Sequence, residues 1–389
     1  MSKLERLIAE LCPDGVELVK LSDVAPPTRG VRVIKSQLAL EDKYPVYQNS
    51  MTPLGYYKES NCHANTVFII SAGAAGEIGY STGAFWAADD CFYFICPQKL
   101  KSRFLYYTLM CQREHLLSRV RRASVPRLAR SVIDGLDIPI PPLPVQEEIV
   151  RILDNFTELT AELTAELTDR KKQYEYYRDS LLTFGDEVSI VTLGEIATII
   201  RGGNFQKKDF RENGVPCIHY GQIYTKYGLS TIDTLTFIEK SVAEKSKFAQ
   251  KNDIVMAVTS ENVEDVCKCV VWLGEEDVAI SGHTAIIKHN QNAKFLAYYF
   301  NTATFFKDKK KLAHGTKVIE VTPSTLAKIK IPLPPLPEQQ RIVDILDRFD
   351  TLCNDISSGL PAEIKARQQQ YEYYRDKLLT FKNIAEKET

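Results

Sequence analysis

The chain has 389 residues, with 44% hydrophobic and 25% charged side chains and a formal net charge of −1. That is the composition of a folded globular protein and not of a disordered one, and the length exceeds what one ordinary core fills, so two or more domains are expected. The longest apolar runs, such as Val67 to Ile70, fall far short of the roughly 20 residues that cross a bilayer. The first residues, MSKLERLIAELCPDG, break their apolar positions with Glu and Arg, unlike a secretion signal, so a cytoplasmic protein with no membrane partner is expected. Nine scattered cysteines fit reduced thiols better than a disulfide framework.

Along the chain, residues 1–137 read as a first mixed α/β head rich in short strands. TVFII (Thr66 to Ile70) and CFYFI (Cys91 to Ile95) are apolar runs bounded by Gly, Asn and Pro. Gln48, Asn49 and Ser50 follow a short strand in YPVYQNS and offer fork-like donors and acceptors suited to base edges, although each also fits a turn or a helix cap. Gly73, Gly76 and Gly79 read as a turn, since their spacing is not that of a dinucleotide-binding loop. Near the end of this head, Arg113, Arg119, Arg121, Arg122, Arg127 and Arg130 share their stretch with a single acid, Glu114. Such a run is either a solvated face or a phosphate contact.

Residues 138–184 read as a helical tail. A proline run places Pro144 at a helix start, followed by acids that suit its N-terminus. Ile149, Ile152, Phe156, Leu159, Leu163, Leu167, Tyr174, Tyr177 and Leu181 then step mostly by three and four, as on a coiled-coil seam. The tetrapeptide TAEL occurs twice in succession, Thr160 to Leu163 and Thr164 to Leu167. The paired tyrosine groups at Tyr174, Tyr176 and Tyr177 and at Tyr371, Tyr373 and Tyr374 fit helix packing better than base stacking.

Residues 185–330 form a second head. His219, Tyr220 and Gln222 in VPCIHYGQI match the position of Gln48 to Ser50, and Ser260, Glu261 and Asn262 make a second polar group; these carry the same two readings. Cys267 and Cys269 in VCKCVVWL alternate as on a strand and fit core packing better than a metal site, because no second ligand pair at zinc-finger spacing follows. A metal there stays open. Lys307, Lys309, Lys310, Lys311 and Lys317 occupy the place of the first head's arginines. Residues 331–389 form the second tail, with Ile342, Ile345, Phe349, Leu352, Ile356, Leu360, Ile364, Tyr371, Tyr374 and Leu378 on its stripe and a break expected at Ser358, Gly359 and Pro361.

The two halves are one unit duplicated. IPIPPLPVQEEIVRILDNF (Ile138 to Phe156) returns as IPLPPLPEQQRIVDILDRF (Ile331 to Phe349), and QYEYYRDSLLTF (Gln173 to Phe184) as QYEYYRDKLLTF (Gln370 to Phe381), with four residues gained in between. Leu21, Ala25, Arg29 and Gly30 match Leu193, Ala197, Arg201 and Gly202. Charge follows the same division. Residues 1–137 carry 17 basic and 14 acidic side chains and residues 185–330 carry 19 and 17, whereas the tails carry 5 against 9 and 8 against 10. Basic heads and acidic tails point to nucleic acid at the heads, with Arg29, Arg119, Arg121, Arg122, Arg127, Arg201, Lys309, Lys310, Lys311 and Lys317 as candidate contacts.

In its proline runs, TAEL repeats and QYEYYRDxLLTF segments the chain resembles the specificity subunits of type I restriction-modification systems. The resemblance covers the whole architecture and is specific in the two tails. It implies an α+β protein with two target-recognition domains, separated by two long antiparallel coiled-coil helices in a pseudo-twofold repeat. It further implies an asymmetric bipartite site on double-stranded DNA, two methyltransferase subunits docked on the helices, and restriction (motor) subunits in the same complex. Ile149, Phe156, Leu163, Leu167, Tyr177, Ile342, Phe349, Leu352 and Tyr374 are the expected spacer and partner-binding residues. S-adenosylmethionine, ATP and Mg belong to the partners, and no catalytic residue or cofactor is expected in this chain.

The residues agree with catalysis elsewhere. The three Pro-Pro pairs follow Ala25, Ile140 and Leu333, where an adenine-modifying pocket wants Asp or Asn, and there is no G-x-x-x-x-G-K-[ST] phosphate cradle. The competing readings are a helical scaffold with two ligand-binding heads and no role at DNA, the specificity half of a related modification enzyme, and a self-sufficient modification enzyme, which the missing motifs disfavour.

Overall fold

Thr66–Ile70 is buried at all five positions, as a β-branched and aromatic run must be when it lies at the centre of a covered sheet. In the computed structural model, which describes residues 2–41, 43–355 and 358–384, this strand pairs antiparallel with Ile78–Ser81 on one side and Cys91–Tyr93 on the other. Thr28–Arg29 completes the four-stranded sheet. A three-stranded sheet of Gly55–Tyr57, Tyr44–Tyr47 and Trp86–Ala87 accompanies it. Helix Ser102–Cys111 packs on the first sheet through Phe104, Leu105, Tyr107 and Leu109.

The second head repeats this plan with a larger inventory. Ile254–Ala257, buried at all four positions, lies between Thr284–His289 and Cys269–Trp272 in a five-stranded sheet completed by Ala197–Arg201 and Ser230–Thr231. A second five-stranded sheet runs Phe210–Arg211, Thr236–Ile238, Val215–Ile218, Val278–Ile280, Lys247–Ala249. The strand pair at the base of each head shows the duplication most directly. Leu18–Lys20 pairs with Asp137–Pro139, and Ile190–Thr192 pairs with Lys330–Pro332 in the same antiparallel register.

From the first proline run springs a single helix, Leu143–Leu181, of 39 residues, about 58 Å long at 1.5 Å per residue. Its counterpart is two helices, Leu336–Asn354 and Leu360–Leu379. The interruption falls where Ser358, Gly359 and Pro361 predict it: Gly359 N donates to Asp355 O at 3.0 Å, and Pro361 sits in the first turn of the new helix. Ile356 of the predicted stripe lies outside the described residues. Two mixed α/β heads with long helical tails make this the α+β duplicated fold that the sequence suggests.

The chain forms two compact units, one running to Glu162 and taking in the segment from Ile364, the other spanning Leu163–Glu363. Each therefore contains a head and an antiparallel pair of helical segments. In the first, Phe156 stacks on Tyr374 with ring centroids 5.5 Å apart. In the second, Tyr177 stacks on Phe349 at 5.4 Å.

The seam departs from its prediction in one respect. Ile149 and Ile342 are fully buried, but so are Leu153 and Leu346, which the stripe omitted, because these turns face the head cores. Leu163 and Leu167 are half-buried. Leu159 and Leu352 are 46% and 38% exposed, and Cys353 is buried beside Leu352 instead. A straight helix drifts about 20° per heptad from a strict seam, so a stripe drawn with one period cannot hold its face over ten turns.

Candidate nucleic-acid interface

The arginine cluster of the first head is carried by a β-hairpin that sequence reading did not foresee. Arg121 N donates to Arg127 O at 2.8 Å and Arg127 N returns a bond to Arg121 O at 3.1 Å, so Arg121 and Arg127 face each other across a short turn. Arg127 also bridges Ala72 in the loop after the central strand. Arg119, Arg121, Arg122 and Arg127 are exposed. Among the described residues none of these four has a carboxylate partner, whereas Arg113 pairs with Glu77 at 2.7 Å and Arg130 with Asp134. Exposed unpaired guanidinium groups are what a phosphate contact requires, because no internal ion pair must be broken to make it.

Other candidates converge on this loop. Gly73, at φ +79°, lies so close to Asn49 that a Cβ would fall 2.6 Å from Asn49 O, and Ala74 N donates to that same oxygen. Gln48 reaches Asp89 Oδ1 at 3.5 Å, and Arg29 Nε donates to Asp89 O at 2.7 Å. Ser50 Oγ accepts from Thr52 N, the local turn bond of its alternative reading. Gly73 and Gly76 make the expected turn, but Gly79 is a strand residue whose missing side chain admits the ring of Phe68.

The second head has the same hairpin. His314 and Glu320 exchange backbone bonds at 3.1 and 2.8 Å, and each is displaced by 193 residues from Arg121 and Arg127. Thr259–Ser260 pairs with Ile319–Glu320, bringing Ser260, Glu261, Asn262, Tyr220, His283 and Val318 around one concavity of about 370 Å³. Arg201 stands at its expected place, with Nε on Gly282 O at 3.0 Å and the guanidinium on Glu320 at 2.6 Å. Lys310 and Lys317 are exposed, and Lys311 pairs with Asp308 at 2.8 Å.

Three predicted contacts are redirected by the structure. Lys309 is 5% exposed, and its ammonium donates to Glu264 O at 2.9 Å and Val266 O at 2.6 Å, pinning the loop beside the concavity instead of meeting solvent. His219 is 4% exposed and caps helix Tyr220–Thr225 by accepting from Gly221 N. Burial of the imidazole, with Lys207 and His283 nearby, pushes its pKa down to about 4. Gln222 closes the same cap by accepting from His219 N at 3.0 Å. The motif HYGQ is thus a reciprocal capping box, and of its residues only Tyr220 faces the concavity. Cys267, at φ +68°, is buried, and burial pushes its thiol and that of Cys269 up to about 12.

Each head is fastened to its own helix by groups that sequence reading missed. Tyr107 donates to Asp154 at 2.5 Å beside Arg103, and Tyr298 donates to Asp347 at 2.7 Å beside Lys294. Fully buried Gln146 donates to Lys99 O and Pro141 O and accepts from Lys101 N. Its repeat, Gln339, bonds Gln291, Pro334 O and Asn292 N. The signal was present: both glutamines occupy one position of the duplicated segment.

Comparison with known proteins agrees with this geometry. The sequence model of the type I restriction modification DNA specificity domain matches residues 13–170 and again 185–366. The EcoR124I/EcoR124II specificity subunit of Escherichia coli is 42% identical over 257 residues, 63% of this chain and 61% of that protein. A Haemophilus influenzae protein provisionally named a type I restriction enzyme specificity subunit is 32% identical across 94% of this chain and 96% of its own length. In fold, the S subunit of a type I restriction-modification system from M. genitalium superposes with a TM-score of 0.57 at 17% identity, over 94% of this chain and 96% of that one. A chain from a structural account of type I R-M complex assembly gives 0.59, also at 17% identity, over 95% and 98%. Two matched domains, full-length relatives and the duplicated fold lead to one conclusion: this chain belongs to the family of type I restriction-modification DNA specificity subunits.

Proposed function

We propose that the chain is the sequence-reading subunit of a type I restriction-modification complex, with each head reading one half of an asymmetric, interrupted site on double-stranded DNA. The observation that carries this reading is the duplicated platform: one hairpin and one loop, built on the same backbone bonds in both heads, bearing Arg121 and Arg127 in one and His314 and Glu320 in the other. A shared frame with unlike side chains suits two unlike half-sites, where identical side chains on that frame would read a palindrome. Phosphate contacts from Arg119, Arg121, Arg122, Lys310 and Lys317 fix register, and Gln48, Asn49, Tyr220, Ser260 and Asn262 supply base contacts. The helical segments hold two methyltransferase subunits, which bring S-adenosylmethionine chemistry, and restriction subunits that use ATP and Mg; this chain contributes no catalytic group.

The test is gel-shift binding by the chain reconstituted with its methyltransferase subunits, alongside transfer of labelled methyl groups to DNA. The wild-type complex should bind and methylate duplex DNA, and the chain alone should transfer nothing. Replacing Arg119, Arg121 and Arg122 by Ala should weaken binding to all sequences, with the slope of log K against log salt falling by about 0.9 for each phosphate no longer neutralised. An unchanged slope would mark the cluster as a solvated face.

A further inference from the structure

Both heads hold an arginine by the same backbone clamp, Nε of Arg29 on Asp89 O and Nε of Arg201 on Gly282 O, at carbonyls displaced by 193 residues. Gly30 and Gly202 follow them and allow the approach; a Cβ would lie 2.2 Å from Ala88 O in one head and 2.1 Å from Ser281 O in the other. The repeats share this scaffold, but not its charge. The hairpin position that is Arg127 in the first head is Glu320 in the second, and Glu320 takes the Arg201 guanidinium at 2.6 Å with the two side chains 29% and 44% exposed. Among the described residues Arg29 has no carboxylate partner, and neither has Arg127.

We propose that Glu320 sets specificity by withholding Arg201 from the DNA backbone, so that the first head supplies most of the phosphate anchoring and the second holds phosphate through Lys310 and Lys317 without Arg201. This rests on the DNA-reading function above. A charge-assisted bond of this length must be given up before Arg201 can neutralise a phosphate. The carboxylate itself repels phosphate and accepts hydrogen bonds from base amino groups, cytosine N4 among them. Each phosphate contact raises affinity for every sequence alike. Removing one lowers affinity for every sequence by the same factor, whereas the base contact that the Glu320 carboxylate offers is made only at a matching site, so exchanging the one for the other widens the ratio of specific to random binding. Two heads need only one strong anchor, because the second is delivered to the duplex by the first.

The experiment uses the full complex with its methyltransferase subunits, a duplex carrying the modified site and a random duplex, titrated across salt. Glu320→Gln should tighten binding to random DNA, steepen its salt slope by about 0.9, and lower the ratio of specific to random affinity. Glu320→Arg, which restores the first head's charge, should steepen it further. Arg201→Ala alone should leave the slope as in wild type, and combined with Glu320→Gln it should abolish the steepening, leaving only the tighter binding that follows from the lost repulsion. A slope unmoved by Glu320→Gln, or a steepening that survives the loss of Arg201, overturns the proposal. A wild-type complex that shows no salt-dependent DNA binding overturns the DNA reading itself.

Discussion

Replacing Gln146 by Leu tests how firmly the first head is fixed to its helix. The side chain is fully buried and makes three hydrogen bonds: its amide nitrogen donates to Lys99 O and Pro141 O, both at 2.8 Å, and its oxygen accepts from Lys101 N at 2.9 Å. Leu fills nearly the same volume, so no cavity term enters, and the cost is that of the stranded partners. An unsatisfied buried group costs about 1–3 kcal/mol. Lys101 is exposed enough for water to reach its amide in part, and each carbonyl keeps a second lone pair. The sum expected is about 2–4 kcal/mol, a large share of a domain's ~5–15 kcal/mol. In urea, with a slope of roughly 2 kcal/mol per M, the midpoint of the first unit should fall by about 1–2 M.

Gln146→Glu sharpens the test. At neutral pH it should be worse than Leu, because a carboxylate faces two carbonyl oxygens. Its folded pKa is then raised, so the penalty shrinks as pH falls through that value and the protonated oxygen donates to one carbonyl. Gln339→Leu should reproduce the effect in the second unit. A Gln146→Leu protein within about 0.5 kcal/mol of wild type, or a Glu variant equal to Leu at pH 7, would refute the reasoning.

Two further outcomes are expected. The folded pKa of His219 lies near 4, depressed from 6.5 chiefly by burial; the unfolded chain therefore binds the extra proton first, and stability present above pH 6.5 is lost as pH falls toward 4. His219→Asn keeps the cap acceptor and should flatten that part of the pH–stability curve, seen in thermal melts across the window, whereas an unaltered curve would place the titration elsewhere. Inserting one more TAEL after Leu167 adds about 6 Å of helix, against ~3.4 Å per base pair. Mapping of modified adenines should then show the same half-sites with a longer gap, and either an unchanged gap or altered half-site bases would refute the spacer reading.

The sequence by itself determined the architecture. A duplicated segment with a 3.6-residue period must make two similar helices, and runs such as Thr66–Ile70 must make central strands, because these follow from local spacing and burial alone. It also placed the helix break, since Ser358, Gly359 and Pro361 act within a few residues. Only the tertiary structure decided which charged groups are free. Lys309 and Lys310 are neighbours of one residue type, yet one ammonium is buried on the carbonyls of Glu264 and Val266 and the other is exposed. Arg127 and Glu320 become equivalent only when their hairpins close, and Arg201 finds Glu320 across 119 residues of chain. Local pattern carries the free energy of secondary structure, whereas the availability of a charge depends on which distant carboxylate or carbonyl the folded chain brings within about 3 Å of it.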